Sequence, residues 1–460
     1  MLRFRLLALV LVMPSLACWP AAVAAQNSAV AIVGNDTAAC PAANALALTL
    51  ASAARRAACL EPENARSTAQ LQQALAGVDE RRAALASQWS AQLSPSINAE
   101  RGLGGASNTD TSFHSTSMGA TLRLDRTLWD GGSRRARIVQ SERDASAAAI
   151  DQGDSLLQSE AAFVGLWIDV RQAQTRQEST RAALAAAEAS AAAAAARAQL
   201  GDATMIDVLT AQSALAQAQR DSLSADLVLV KTLGLLSVRL GWPADQALVL
   251  AGDDGAALAP IPETPLLDQH PQARAQQERV LALRAALDAV RAESGSSVSL
   301  SAELGPNVSR SNFLGAGQRT SSQWAGSVGL RFSLPLADGG SRRAAEVRAR
   351  SMLDAALATQ SLIQRSLEET LWRARSEWRS ALADEAASKA SLRAAQVSEQ
   401  AQRGRYAAGA GRLTDLLQAQ SELAQRQNQA DDARAQRLRS HAALRQAAGL
   451  SALALNEGMQ

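Results

Sequence analysis

The sequence Asp-Gly-Gly-Ser-Arg-Arg occurs twice, at residues 130–135 and at residues 338–343, which lie 208 positions apart. Three further matches share this offset: residues 206–213 with 414–421, Gly201 with Gly409, and Gly241 with Gly449. A constant offset over so much of the chain predicts a structural unit that is duplicated without net insertion.

Each copy of this sequence lies between a predicted strand and a predicted long helix. Residues 118–124 and 327–334 alternate small or polar residues with larger ones, as strands do. Residues 133–200 and 341–408 contain no proline and are dominated by strong helix formers. A helix of about 65 residues is about 100 Å long, which no ordinary globular domain needs.

The repeated sequence itself is predicted to form the joint between strand and helix. Its glycines supply the turn, and its serine, Ser133 or Ser341, is a natural N-cap. The joint residues are Asp130, Gly131 and Gly132 in the first copy, and Asp338, Gly339 and Gly340 in the second.

The composition argues against several classes of function. Lys and Arg (46) nearly balance Asp and Glu (44), so no basic surface for nucleic acid is indicated. The three histidines have no metal-ligand spacing, and the sequence has no nucleophile elbow, no phosphate-binding glycine loop and no Cys-x-x-Cys. We therefore predict that the protein is not an enzyme and needs neither a metal nor a cofactor.

The N-terminus is typical of a secretory signal peptide over residues 1–25, with two arginines, an apolar run and small residues at the cleavage site. The alternatives are an uncleaved anchor and a lipoprotein modified at Cys18. In an oxidising compartment Cys40 and Cys59 are predicted to form a disulfide, the alternative being two separate thiols.

The remaining chain divides into a leader, two repeats, a linker and a tail. The leader is 26–61, the first repeat 62–242, the proline-rich linker 243–269, the second repeat 270–450 and the tail 451–460. Each repeat is predicted as helix, strand, loop, strand, long helix, turn and helix. The predicted bounds are 62–92 and 270–293 for the first helices, 93–101 and 298–304 for the first strands, and 104–112 and 305–322 for the loops.

The long helices are predicted to turn back at Gly201 and Gly409, which suit the C′ position of a helix, so each repeat contains an antiparallel helical hairpin. Four strands are too few to close a membrane barrel, for which about eight is the smallest number. Three chains would supply twelve strands and remove the open edges. Trp129 and Trp324 lie where interfacial aromatics are expected, the alternative being packing in a soluble core.

With its signal peptide, duplicated halves, four strands and two long hairpins, the chain resembles the TolC family of outer-membrane channel-tunnels, in particular its type I secretion members. The most specific matches are the two joints and the hairpin tips at 201–209 and 406–417. The resemblance implies a homotrimer with one twelve-stranded barrel in the outer-membrane lipid and a helical tunnel across the periplasm of a Gram-negative bacterium. It also implies a periplasmic adaptor and an inner-membrane ABC or RND transporter that open the tip.

The resemblance also implies roles for residues of the tips. Tyr406 matches a gate tyrosine, Asp207 its partner from the other hairpin, and Asp415 an aspartate that narrows the pore. Three further positions depart from the family pattern: Gly411 stands for an arginine, with Arg412 beside it, Ile206 for a threonine and Gln418 for a second pore aspartate. The alternative is that Asp207 and Asp415 are ordinary acidic residues near helix N-termini.

Two functions remain open at this point. One is a passive exit duct, for protein secretion or multidrug efflux, with Gly201 and Gly409 marking the tips where the adaptor docks. The other is a periplasmic coiled-coil adaptor or scaffold without a barrel. Two hairpins, each preceded by a pair of strands, favour the duct.

Overall fold

The structure is a computed structural model that describes residues 48–102, 111–251, 258–261, 267–313 and 317–453. All of these belong to one compact unit, Pro41–Gln460. The predicted signal peptide, Cys18, Cys40 and the end of the tail lie outside the described residues.

The described residues form seven α-helices and four strands. In chain order they are α1 (Leu50–Leu60), α2 (Pro62–Ala83), β1 (Gln88–Gly102), β2 (Thr111–Trp129), α3 (Ser133–Gln199), α4 (Met205–Arg239), α5 (Pro271–Glu293), β3 (Ser297–Phe313), β4 (Gly317–Ser333), α6 (Ser341–Ala407) and α7 (Leu413–Ala447). A 3-10 turn, Leu267–Gln269, precedes α5.

The duplication predicted from the sequence is confirmed in the helices. The two long helices α3 and α6 both have 67 residues, and the returning helices α4 and α7 both have 35. Both long helices end in a Schellman motif, in which Gly201 and Gly409 have φ of 86° and 76°. A residue with a side chain rarely adopts this left-handed conformation, so glycine is the residue that lets the helix end there.

The joints lie where they were predicted, but the helices are capped by other residues than predicted. Gly132 and Gly340, both with φ of 92°, occupy the N-cap positions, and the predicted N-cap serines are the first helical residues instead. The missing cap is supplied by an aspartate. Asp338 accepts hydrogen bonds from the backbone N–H groups of Gly340 (3.1 Å) and Arg342 (2.8 Å), and Asp130 does the same in the first copy.

An arginine completes each joint. Arg134 Nε donates to Asp130 (2.8 Å), while its Nη atoms donate to the carbonyls of Ala84 (2.8 Å) and Thr127 (2.7 Å). These bonds tie the start of α3 to the end of β2 and to the residue that follows α2. Although burial acts in the opposite direction, the hydrogen bonds from Arg134 and Gly132 hold the pKa of Asp130 below its usual value.

Two predicted boundaries are wrong. The helix predicted over 62–92 ends at Ala83, and β1 begins at Gln88, because the alternation of apolar and polar residues already starts there. Residues 305–322, which were predicted as a loop, lie mostly in strands β3 and β4. Only residues 314–316, between the two strands, are outside the described part. Gly305 is a point of close approach rather than a turn, since an added Cβ would lie 1.9 Å from the Ala120 carbonyl oxygen.

The four strands form one antiparallel sheet in the order β1-β2-β3-β4. Its register places large apolar side chains on one face, most of them exposed: Trp89, Leu93, Ile97, Met118, Leu122, Leu304, Val308, Trp324, Val328, Leu330 and Phe332. The opposite face is polar. It carries Ser96 bonded to Ser117 (2.7 Å), Ser309 bonded to Ser321 (2.8 Å), and Arg123 paired with Glu303 (2.8 Å).

The main core lies midway along the hairpins. Trp167, Val164 and Val170 of α3 are fully buried there, against side chains of α1, α4 and α7. The linker and the tail contribute as well, because Leu48 bridges to Leu250 and Leu258 to Leu453. Within the described part of the chain, no helix has both the length and the hydropathy needed to cross a bilayer.

We expect Asp338→Ala to lower the midpoint of thermal unfolding by a few degrees, because it leaves two N–H groups of the first turn of α6 without a partner. Ser341→Ala is the matched control, since this serine is exposed and does not cap the helix. Circular dichroism of the purified full chain measures both. Equal effects of the two substitutions would contradict capping by the aspartate.

We expect the folded protein to be less stable in mild acid because of His270. Its Nδ1 accepts a hydrogen bond from the N–H of Gln272 (3.2 Å) at the start of α5, and burial lowers its pKa despite the opposing effects of Asp154 and Gln446. The unfolded chain therefore takes up a proton below about pH 6.5 that the folded chain resists, so stability falls as the pH drops below that value.

The measurement is the unfolding midpoint at pH 7.5 and at pH 5.5. His270→Asn retains a cap acceptor that does not titrate, so we expect this variant to lose less stability between the two pH values. His441 contributes in the same direction, because burial, Arg445 and Arg437 lower its pKa. An unchanged pH dependence in His270→Asn would exclude His270 as a source.

Candidate functional site

The candidate site is the end of the helical body where the two hairpins turn. In the first hairpin α3 ends at Gln199 and α4 begins at Met205, and in the second α6 ends at Ala407 and α7 begins at Leu413. A small apolar cluster joins them: Ala194, Ala211, Tyr406, Leu413 and Leu416 are all buried and in contact. The alanine run of α3 permits this, since small side chains let the second hairpin approach closely.

Tyr406 lies in this cluster and is only 9% exposed. The guanidinium carbon of Arg197 lies 4.0 Å from the centre of its ring, and Arg197 Nη2 donates a hydrogen bond to its carbonyl oxygen (2.7 Å). The first contact is a cation–π interaction and the second is a charge-assisted hydrogen bond. Both join α3 of the first hairpin to α6 of the second.

Asp207, the predicted partner of Tyr406, has a different role among the described residues. Its carboxylate accepts hydrogen bonds from the hydroxyl (2.8 Å) and the N–H (3.0 Å) of Thr204, and its own N–H donates to the Thr204 hydroxyl (3.2 Å). This is a capping box at the start of α4. The bonds from Thr204 lower the pKa of Asp207, so it carries its charge at neutral pH.

Asp415 lies in the first turn of α7 and is exposed. Arg412 precedes it as the N-cap residue of α7, also exposed, with no capping bond from its side chain. Gly411 packs tightly, because an added Cβ would lie 2.9 Å from the backbone nitrogen of Tyr406. A side chain at position 411 would therefore push the turn away from Tyr406.

The two tips present different surfaces. The first exposes more than half of each of four apolar side chains: Leu200, Met205, Ile206 and Leu209. The second tip buries Leu413 and Leu416 in the cluster with Tyr406. Gly201 and Gly409 both face open space, with no atom within 4 Å of an added Cβ.

Above the tips, polar contacts connect the two hairpins along α3 and α7. Gln172 donates to Asp432 (2.6 Å), Arg439 to Asp169 (2.6 Å), and Gln420 to Ser190 (3.0 Å). A groove of ≈ 1210 Å³ is lined by residues of α3, α4, α6 and α7 in the same part of the body. The hairpins are therefore held to each other by two apolar clusters, the main core and the small cluster at the tips, together with a row of polar links.

Arg197 is the residue of this site that reasoning from the sequence missed. The repeat matches it with Arg405, so both hairpins carry an arginine at the same distance before the glycine of the turn. The available signal was the tyrosine: Tyr406 matches Ala198 in the first repeat, so an aromatic ring is present on one hairpin only.

The other predicted site residues lie away from the tips. Cys59, near the end of α1, is disulfide-bonded, and its pairing with Cys40 stays a prediction because Cys40 lies outside the described residues. The joint residues lie between the sheet and the long helices. Within the described ranges, no group of three His, Cys, Asp or Glu side chains is arranged to hold a metal ion.

Several solved structures share this fold. A membrane protein from Pseudomonas aeruginosa matches with a TM-score of 0.75 and 20% identity, over 87% of this chain and 93% of its own. The outer membrane protein VceC from Vibrio cholerae matches with a TM-score of 0.70 and 17% identity, over 87% of this chain and 96% of its own. The Campylobacter jejuni CmeC outer membrane channel matches with a TM-score of 0.70 and 18% identity, over 87% and 85% of the two chains.

A comparison with curated protein sequences finds no match. The sequence model of one family, described as Outer membrane efflux protein, matches residues 63–237 and 265–450, which are most of both repeats. This match and the shared fold confirm the resemblance to outer-membrane channel-tunnels, with the sheet in the outer membrane and the hairpins in the periplasm. The chain belongs to the outer membrane efflux protein family.

Proposed function

We propose that the protein is the passive outer-membrane exit duct of a tripartite export system, opened at its hairpin tips by an adaptor and an inner-membrane transporter. The observation that carries this proposal is the sheet, which is apolar on one face, polar on the other and unpaired at both edges. The two joints connect it to the long helices α3 and α6. Such a sheet fits the wall of a pore that has lipid outside and water inside.

Self-association would pair the two edges of the sheet and cover the exposed sides of the outer helices. The sheet ends in β1 on one side and β4 on the other, so a copy can pair its β1 with β4 of the next. In the helical layer α4 packs mainly on α3, and α6 packs on α5 and α7, which leaves an outer side of each without a partner. Those helices expose apolar side chains: Leu223, Leu227, Val230 and Val238 on α4, and Leu362, Trp372 and Val397 on α6.

A head-to-tail contact of this kind gives a closed ring when the rotation between neighbouring copies closes, and an open filament when it does not. Three copies give twelve strands, enough for a membrane barrel, whereas the four strands of one chain are too few. We therefore propose a homotrimer in which β1 and α4 of one protomer meet β4 and α6 of the next.

The dimensions of the apolar face fit an outer membrane. Arginines end this face at both limits: Arg126 opposite Leu300 at the joint end, and Arg310 at the other. Ten residue steps separate Leu300 from Arg310, or about 33 Å along a strand at ~3.3 Å per residue. With the usual tilt of about 40°, the apolar band is about 25 Å tall, which is the height expected for an outer-membrane barrel.

The tips would be the docking site for the adaptor. The exposed apolar side chains of the first tip need cover from water, and the left-handed glycine, Gly201, keeps the turn compact enough to enter a partner groove. The second tip, with Gly409, offers a more polar surface. The adaptor therefore gains most of its apolar contact from the first hairpin.

The tips would also set the ion preference of the pore. In a trimer the exposed Asp415 of each chain forms a ring of three carboxylates around the axis, which attracts cations. The carboxylate of Asp207 is bonded to Thr204 and caps the start of α4 instead.

The energy for export would come from the transporter, of the ABC or the RND class. Cargo choice, protein or small molecule, would follow the transporter. Co-purification of the cross-linked complex from cells identifies the transporter and separates type I secretion from multidrug efflux.

We expect Val328→Lys to reduce the amount of assembled trimer in the outer membrane, because this side chain is 78% exposed on the apolar face of β4. A lysine costs about 2–4 kcal/mol per chain at the bilayer midplane and less towards either limit, and Val328 lies opposite Ala302, between the midplane and the joint end. The neighbour Ser327→Lys is the control, since it lies on the polar face opposite Glu303. The measurement is separation of inner and outer membranes, followed by the native mass of the unheated detergent extract.

A trimer of the wild-type chain in the outer-membrane fraction is the expected result. A monomer, or a soluble or inner-membrane species, would refute the duct. Equal assembly of the two lysine variants would refute the assignment of the apolar face to lipid.

Asp415→Asn is expected to reduce cation selectivity, measured as the reversal potential of the reconstituted trimer under a salt gradient. Asp207→Asn is the matched control, because it holds the same position in the first repeat but caps α4. It should change stability more than selectivity. Unchanged selectivity in Asp415→Asn would remove this residue from the pore.

A further inference from the structure

We infer that Arg310, together with Thr116 and Thr320, binds a phosphate group of a lipid in the outer leaflet of the membrane, a phosphorylated glycolipid of the lipopolysaccharide type. These residues lie on the apolar face of the sheet, at its end away from the joints. The inference rests on the proposed function, because it requires this face to meet lipid. It adds a ligand that an exit duct does not itself require.

The three residues form one row across three strands. Arg310 of β3 is opposite Thr116 of β2 on one side and Thr320 of β4 on the other. All three side chains are exposed. Side chains paired in this way have Cβ atoms about 5 Å apart, so the guanidinium and both hydroxyls are within reach of the same ligand. The oxygens of one phosphate group can therefore accept hydrogen bonds from all three.

Two further hydrogen-bond donors flank this row on the same face. His114 lies two residues beyond Thr116 on β2, and Ser322 lies two residues beyond Thr320 on β4. Both are exposed and diagonal to Arg310, at a distance that long side chains can span. The patch is therefore wide enough for a headgroup that carries sugar hydroxyls beside its phosphate.

The charge of Arg310 has no counterpart on this face. At the described strand positions of the apolar face there is no acidic residue, and among the described residues Arg310 makes no ion pair. On the polar face, by contrast, Arg123 is paired with Asp125 (2.6 Å) and Glu303 (2.8 Å). A cation at the edge of an apolar phase needs an opposite charge nearby, so an anionic ligand fits this position.

The level of Arg310 fits the phosphates of the outer leaflet. One row further into the apolar band, Met118 and Val308 are exposed apolar side chains opposite each other. The guanidinium therefore lies where acyl chains give way to headgroups. In the outer leaflet of a Gram-negative outer membrane the main lipid is lipopolysaccharide, whose phosphates are attached to the sugars at this boundary.

The arginine at the opposite limit of the band has different neighbours. Arg126 has Leu124 two residues before it on the same face and Leu300 opposite it, and neither side chain can donate a hydrogen bond. Such a cation extends towards the interface along apolar side chains without a set of donors around it. Selective binding of a phosphate is therefore expected at the outer limit and not at the joint end.

The test is native mass spectrometry of the full-length trimer, extracted in detergent, stripped of bound lipid and titrated with lipid A, the phosphorylated glycolipid portion of lipopolysaccharide. We expect one lipid A to bind per chain. Arg310→Gln should weaken binding about tenfold, because it removes the charge and the paired N–H donors. Arg310→Lys should retain part of the affinity, since it keeps the charge but not the planar fork.

Arg319→Gln is the matched control. Arg319 is exposed and lies one residue before Thr320, but its position is opposite Ser311 on the polar face. This variant removes the same charge at the same end of the sheet and should bind lipid A like the wild type. Lipid A from which the phosphates have been removed should bind the wild type no better than intact lipid A binds Arg310→Gln.

Equal affinity of Arg310→Gln and the wild type would overturn the site. An equal loss in Arg319→Gln would also overturn it, since the effect would then depend on overall charge. Phosphatidylglycerol that binds as tightly as lipid A, with the same loss in Arg310→Gln, would refute the assignment to the outer-leaflet glycolipid. If Arg310→Gln does not assemble, the isosteric change Thr320→Val tests the same row: we expect severalfold weaker binding, and unchanged affinity would contradict the inference.

Failure of the proposed function would look different. In that case the wild-type chain itself would give no trimer in the outer-membrane fraction, whichever lipid is added. A wild-type trimer that assembles but does not distinguish lipid A from its dephosphorylated form would refute the lipid site alone and leave the duct unaffected.

Discussion

At each joint a single carboxylate, Asp130 or Asp338, caps the first turn of a 67-residue helix. The arginine four residues later binds the same carboxylate and reaches a backbone carbonyl near the end of the neighbouring short helix. In the first copy the same arginine also binds the carbonyl of Thr127 in β2, so this small turn sets the direction in which the first hairpin leaves the sheet. A long helix amplifies any error at its base, so the position of the tips depends on these two joints.

The two repeats share the same architecture but make different contacts at their tips. Helix lengths and glycine turns agree between them, but the tips have diverged. The first tip has a capping box and exposed apolar side chains, whereas the second has a buried tyrosine, a crowded glycine and an N-cap arginine without a capping bond. In a ring of three copies this asymmetry gives alternating hairpins, of which one type supplies the cation and the other the aromatic ring.

Much of the architecture was predictable because local sequence patterns specify it. The repeat offset, the proline-free helical stretches and the glycine turns all follow from residue type and spacing, and the helix predicted over 270–293 is α5 almost to the residue. The errors have local causes too. Serine and glycine between 305 and 322 resemble a loop in composition, but on the polar face of a sheet small hydrophilic residues are what the strands require.

The sequence by itself determined the duplication and the long hairpins, because periodicity and turn chemistry depend on neighbours a few residues apart, and its motifs carried the resemblance to the family. Only the tertiary structure decided which side chains meet at the tips. Arg197 and Tyr406 are 209 residues apart, and Arg405 lies as far before the glycine of its turn as Arg197 does before its own. The close packing of two hairpins across an alanine surface brings one arginine onto the ring and leaves the other in solvent, and no local pattern encodes that choice.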